Sequence, residues 1–274
     1  MSLITLQCQA CGGSIAFPEG KATPYCPFCG SEKQVTKPLN QQLLPPQIML
    51  DFGISSAEAK QAFRIFAKSS FWYPKDIRNA NLTLQLILLP AWMWSGSSEM
   101  HYNGLKAART KSGKRPYSGI SKKYFEQILV PASKAVSLTE LNQIAPFELA
   151  AHQPFDANQI EYPYEPGELT EHIALGIAKT TMQNLHSNIV RREENLSDFH
   201  SSVIFHDLDG IPALLPVYIG VYRRKDKFYR VVINGLSGKL SGEAPFDWVK
   251  LLLIGGVIFL LILLFGAVEV FLNG

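Results

Sequence analysis

Residues 8–30 read CQACGGSIAFPEGKATPYCPFCG and contain every cysteine of the chain, as the pairs Cys8-x-x-Cys11 and Cys26-x-x-Cys29 with fourteen residues between them. Paired disulfides need an oxidising compartment, and a redox Cys-x-x-Cys needs a strand-and-helix setting that a short stretch rich in Gly and Pro does not supply. Metal coordination uses all four thiols at once. A Cys-x-x-Cys turn presents two thiolates on one side of a tight knuckle, and two knuckles close a tetrahedral shell at about 2.3 Å around zinc. Gly12 and Gly30 each follow the second cysteine of a pair, where positive φ lets backbone N–H groups turn toward the sulfurs. Residues 14–17 read as a strand and Pro18-Glu19-Gly20 as a turn, the hairpin of a zinc ribbon. The expected ligands are Cys8, Cys11, Cys26 and Cys29, and the expected role of the zinc is structural, because four cysteines leave no open position for a substrate. Some thirty residues bury too little apolar surface to fold without the ion.

At the other end, residues 251–268 run eighteen positions without a charge, and Trp248 precedes them where an interfacial aromatic belongs. Arg223, Arg224, Lys225, Lys227, Lys239 and Lys250 lie upstream, while Glu269 lies downstream. The pattern predicts a C-terminal transmembrane helix: a single-pass tail anchor in the inner membrane, the N-terminal bulk cytoplasmic, the C-terminus outside, and membrane lipid as a contact. The first seven residues lack a basic region and an apolar core, so they do not read as a secretory signal. A net charge of +3 over 274 residues exerts no strong pull on nucleic acid. Within the ribbon, Lys21, Lys33 and Lys37 are offset by Glu19 and Glu32, and Phe17, Tyr25 and Phe28 serve as stacking or as packing residues. Nucleic acid is therefore a possible partner but not the favoured one.

Between the two ends the expected organisation is a ribbon at 1–37, a linker at 38–47 carrying Pro38, Pro45 and Pro46, an α+β cytosolic domain at 48–247, and the anchor at 248–270. Ser55 with Glu58, and Ser137 with Glu140, have capping-box spacing and predict helices over 57–68 and through Ile144. Pro166-Gly167 opens a longer helix over 168–190, with Leu169, Ile173, Ile177, Leu185 and Ile189 as its core face. Residues 82–94 read as a buried strand broken at Pro90. Residues 217–222 and 228–233 alternate across the turn Arg224-Lys225-Asp226-Lys227 as a hairpin. Leu88-Leu89-Pro90-Ala91-Trp92 is echoed by Leu214-Leu215-Pro216-Val217-Tyr218, and Ser112-Gly113-Lys114 by Ser237-Gly238-Lys239. An internal duplication giving two related hairpins follows as an expectation.

Reaction chemistry is harder to find. Gly235-Leu236-Ser237-Gly238-Lys239-Leu240 lacks the spacing and the final hydroxyl of a phosphate-cradling loop. His172 and His186 lie two heptads apart on the long helix and read as surface or capping residues. Asp207-Leu208-Asp209-Gly210, next to His200 and His206, reads as a turn, and Glu99 with His101 as neighbours on one strand face.

The two knuckles, the run from Leu214-Leu215-Pro216-Val217-Tyr218 through Val232-Ile233-Asn234-Gly235-Leu236-Ser237-Gly238-Lys239, and Gly242-Glu243-Ala244-Pro245 resemble a bacterial family of zinc-ribbon proteins. Its members are commonly labelled as related to the primosomal protein N-prime helicase, and many carry C-terminal membrane segments. The resemblance covers most of the chain, including residues 138–147. It implies the four cysteines as functional residues and, through some relatives, a flotillin-like or phage-shock-type protein partner. The expected function is a membrane-anchored zinc-ribbon adaptor that positions a partner protein. The alternatives are a tethered nucleic-acid binder and an unrecognised enzyme.

Overall fold

In the computed structural model the described residues are 3–18, 22, 25–36, 45–107, 113–149, 152–156 and 160–273, with no side chain described at Leu3, Pro18 or beyond Ile262. The expected turn at Glu19-Gly20, most of the linker 38–47 and Ser112 of the repeat lie outside the described residues.

The ribbon strands are β1 (Leu3–Cys8), β2 (Ser14–Pro18) and β3 (Gln34–Thr36), in the antiparallel order β2-β1-β3. Then follow β4 (Ile48–Leu50), α1 (Ser56–Phe66), β5 (Leu82–Ala107), β6 (Lys114–Pro131), α2 (Leu138–Ile144) and β7 (His152–Pro154). The chain continues through α3 (Glu171–Glu194), β8 (Ser197–Arg224), β9 (Lys227–Asn234), β10 (Leu240–Gly242) and α4 (Trp248–Asn273). Both capping boxes form as read: Ser55 with Glu58 opens α1, and Ser137 with Glu140 opens α2.

β5 and β8 are 26 and 28 residues long and pair antiparallel. Their register places Leu89 opposite Leu215, with Leu88 facing Pro216 and Pro90 facing Leu214. The two copies of the repeated motif thus meet each other about a local two-fold. From this centre the hairpins leave in opposite directions, β6 flanking β5 from Ala91 and β9 flanking β8 from Val217. Pro90 does not break its strand. Its carbonyl accepts from Ala132 N at 3.0 Å, as that of Pro216 accepts from Gly235 N at 2.9 Å. A strand residue turns N–H and C=O to the same side, so each proline's missing donor points away from the β5–β8 ladder.

Alternation along these strands gives the sheet two apolar faces. On one, Ala59, Phe63 and Ala67 of the α1 region pack on Tyr218, Tyr222 and Val231, and Ala174, Ala178 and Met182 of α3 pack on Trp92, Trp94 and Phe125. On the other, Ile87, Leu89, Val217 and Ile219 meet Cys8, Ile15, Phe17 and Phe28 of the ribbon and Leu141 and Ile144 of α2. Ala16 and Tyr164 also exchange backbone hydrogen bonds at 2.7 and 3.0 Å. The ribbon shares the main core.

Several expectations are corrected. The fold is a mixed sheet, with one parallel pair, β4–β8, among antiparallel ones, and among the described residues no helix is long and apolar enough to cross a membrane. The transmembrane helix, the single-pass tail anchor and the placement in an inner membrane with an outside C-terminus are overturned by that finding.

Of the expected core face, Leu169 and Ile177 pack partly buried against the sheet, but the fully buried positions of α3 lie elsewhere. Ala174, Ala178, Met182, His186 and Val190 are buried, whereas Ile173 is 53% and Leu185 42% exposed. Small residues let the helix approach the indoles of Trp92 and Trp94, so volume on the sheet side replaces volume on the helix. Residues 207–210 are not a turn either. They continue β8, with Asp207 at φ 51° where the pairing shifts register between Ser95 and Ser97, which is a bulge. A Cβ on Gly210 would stand 2.6 Å from the Trp94 ring, so this glycine makes room for the indole.

Candidate metal centre

Each knuckle is built the same way. Gly12 N donates to Cys8 O at 3.0 Å and Gly30 N to Cys26 O at 2.8 Å, and both glycines sit at φ 76°, a conformation that favours a residue without Cβ. Cys8 N and Cys26 N donate onward to Gly13 O and Ser31 O, each at 2.8 Å. The second knuckle is wedged by Phe28, only 3% exposed, whose ring would lie 2.6 Å from a Cβ on Gly13. Phe28 and Phe17 are therefore packing residues, while Tyr25 is 49% exposed.

The four expected ligands converge. Cys8 Sγ lies 3.6 Å from Cys29 Sγ and Cys11 Sγ 3.7 Å from Cys26 Sγ, and all four sulfurs fall within 4.8 Å of one another. Four thiolates at about 2.3 Å from a tetrahedral centre would stand roughly 3.8 Å apart, so the group can hold a four-coordinate metal ion. Cys8 and Cys26 are buried, and Cys11 and Cys29 face outward. Burial pushes the Cys11 thiol up to about 11 and raises Cys26 as well. At Cys8 burial is outweighed by the N–H groups of Cys11 and Ala10 and by bonds from neighbouring thiols, which bring it to about 7. A cation offsets the cost of burying thiolates, so its binding displaces the protons of the more basic sulfurs.

Comparison with known proteins adds little to this geometry. The chain is 23% identical to Uncharacterized protein YdjG of Bacillus subtilis (strain 168) over 221 residues, 74% of this chain. It spans 64% of that protein's length. No family model matches the chain, and no solved structure matches it.

The other residues singled out from the sequence do not gather at the cysteines. Glu99 is hydrogen-bonded to His101 Nε2 at 3.0 Å and ion-paired with Lys122 Nζ at 2.8 Å on the sheet formed by β5 and β6. His172 is exposed as expected, but His186 is fully buried. Its Nδ1 lies 2.7 Å from Ser98 Oγ and its Nε2 2.9 Å from Ser121 Oγ. Burial lowers its pKa, which favours the neutral ring, and the two hydroxyls satisfy both nitrogens. Sequence reading also missed Glu165. It is 3% exposed and accepts from Ser133 Oγ and from Lys134 N, tying the loop after β6 to the segment that joins β2 and β5. Nothing in Tyr164-Glu165-Pro166-Gly167 marks that acid as buried, because its partners lie about thirty positions away.

Proposed function

We propose that the four cysteines hold a structural zinc ion and that the chain is an adaptor, using the ribbon as one wall of a docking face for a protein partner. The observation that carries this reading is the closed four-sulfur shell. Its inner side is anchored to the sheet through Ile15, Phe17 and Phe28, while Cys11, Cys29 and Tyr25 are presented outward. Thiolate softness and tetrahedral spacing select zinc over oxygen-seeking cations. A surface fixed to a rigid core orders little on binding and so loses little entropy there. The resemblance makes a flotillin-like or phage-shock-type protein the first partner to try.

Purified full-length protein should contain one zinc per chain, and Cys26→Ser should lose it. The candidate partner should be retained by the zinc-loaded chain and released when Cys8 and Cys11 are both replaced by serine. Full zinc occupancy in Cys26→Ser defeats the four-cysteine assignment, and partner retention by the double variant defeats the adaptor reading. Arg223, Lys225 and Lys227 at the tip of the β8–β9 hairpin favour nucleic acid as the second reading, Arg224 beside them being held by Asp76 at 2.9 Å. It would show as an affinity for single-stranded or duplex DNA that falls steeply with salt.

A further inference from the structure

Among the described residues, the edge of β5 beside the four cysteines is left incomplete. β5 pairs with β8 from Leu82 onward, but β6 joins its other side only at Ala91. Between these points, among the described residues, Leu88 alone has a backbone neighbour on that side: its N–H donates to Pro163 O at 2.9 Å and its carbonyl accepts from Glu165 N at 3.0 Å. Backbone groups alternate along a strand, so the N–H and C=O of Leu84 and Leu86 point the same way as those of Leu88. Among the described residues they meet no backbone partner. Residues 163–165 begin a parallel ladder on this edge and leave it after one bridge.

The same stretch of β5 borders a cleft of about 420 Å³ on the ribbon-bearing side. Thr83 and Gln85 form one border, Ile219 and Val221 the apolar floor, and Pro27 of the second knuckle and Phe228 of β9 add further apolar surface. Phe228 is 68% exposed. Among the described residues no carboxylate lines the cleft, and Arg223 is its one basic side chain. That guanidinium is held by Nε donating to Lys225 O at 2.9 Å, and among the described residues its anionic neighbour is Asp226, 3.4 Å away with a side chain 97% exposed.

We propose that the free edge at residues 82–86 and this cleft form one site for an extended peptide segment carrying an apolar side chain and, close by, a carboxylate. The peptide backbone continues the sheet, the apolar side chain fills the cleft over Ile219 and Val221, and the carboxylate meets Arg223. Main-chain pairing supplies affinity in such strand addition, and the side-chain pocket supplies selectivity. A row of alternating donors and acceptors matches a peptide backbone and offers nothing regular to a phosphate chain, which needs a track of cations where this cleft has one. The site rests on the adaptor reading and names the partner chemistry that reading leaves open.

The test uses the zinc-loaded full-length chain and an array of eight-residue peptides with Phe, Tyr or Leu at the fourth position and Glu two residues later. A matched array carries Lys in place of Glu. The Glu peptides should bind and the Lys peptides should not. N-methylation of the best peptide should weaken it about tenfold at alternate residues and leave the intervening ones unaffected, the period of a paired strand. This scan needs no variant of the protein. Arg223→Gln should weaken the Glu peptide about tenfold without changing its Gln analogue. Failure of every peptide to exceed the Lys array, or an N-methyl scan without period, overturns the proposal, as does displacement of the peptide by a single-stranded oligonucleotide with strong salt dependence. The two readings fail separately. Cysteine-dependent partner capture without peptide binding sinks this site alone, whereas peptide binding with cysteine-independent capture sustains the site and sinks the adaptor role of the ribbon.

Discussion

Glu165 is a carboxyl group in a place where charge is costly, and its titration should be visible in the stability of the whole chain. Burial pushes its pKa up to about 7, with the Ser133 hydroxyl and the Lys134 amide opposing that shift. The folded state therefore holds the proton more tightly than the unfolded chain, whose carboxyl titrates near 4.5. The stabilisation is fully present below pH 4.5 and is lost as pH rises through 7. A shift of this size corresponds to roughly 3 kcal/mol. Urea midpoints measured from pH 4.5 to 8 should fall over that window, and Glu165→Gln should flatten the fall. An unchanged slope in the variant would show that Glu165 is not the group titrating. Residues of this kind were illegible in the sequence. The cysteines were legible because their two partners per knuckle lie three positions apart, but Glu165 and His186 take their partners from other elements.

At the scale of elements, α3 shows why periodicity identifies a helix more easily than its buried side. The helix contains a stripe of large residues, Ile173 and Leu185 among them, and a stripe at 174, 178, 182, 186 and 190 that begins with two alanines. Hydrophobicity favours the first, and the width of Trp92 and Trp94 on β5 selects the second. Ala178→Leu should therefore cost about 1–3 kcal/mol through overpacking against the sheet. Ile173→Ala should stay within about 0.5 kcal/mol, as surface changes usually do. Thermal unfolding of the two variants decides between the faces, and the reverse order of their effects would restore the large-residue stripe. The strands teach a similar lesson. Pro90 and Asp207-Leu208-Asp209-Gly210 read locally as breaks, yet each sits where β5 or β8 can absorb it, the first on the side away from the ladder and the second at a bulge.

For the whole molecule, the consequence of a shared core is that a metal ion held by the four cysteines would be linked to the stability of the sheet. Cys8, Cys26, Phe17 and Phe28 pack in one cluster with Ile87, Leu89, Val217 and Ile219. Stripping the metal with a chelator should raise amide hydrogen exchange in the ribbon and also at residues 85–89 and 215–219, which lie beneath it. Residues 98–102, covered by α3 through Met100, Tyr102 and Val190, should keep their protection. Exchange confined to residues 3–36 would mean that the ribbon opens without disturbing the sheet. The two-fold relation also belongs to this scale. The repeated Leu-Leu-Pro was visible in the sequence as an echo, and only the pairing of Leu89 with Leu215 shows that each copy is the other's neighbour.

The sequence by itself determined what depends on neighbours along the chain: the two Cys-x-x-Cys knuckles, their glycines, both capping boxes and the hairpin at the Arg224-Lys225-Asp226-Lys227 turn. Each is fixed by backbone geometry over a few residues, so composition and spacing carry it. The tertiary structure decided what depends on residues far apart in sequence: which side of α3 is buried, where Pro90 directs its missing donor, and the docking of the ribbon on the sheet. Burial and pairing are energies of contact between surfaces. A surface acquires its partner only when the chain has closed on itself.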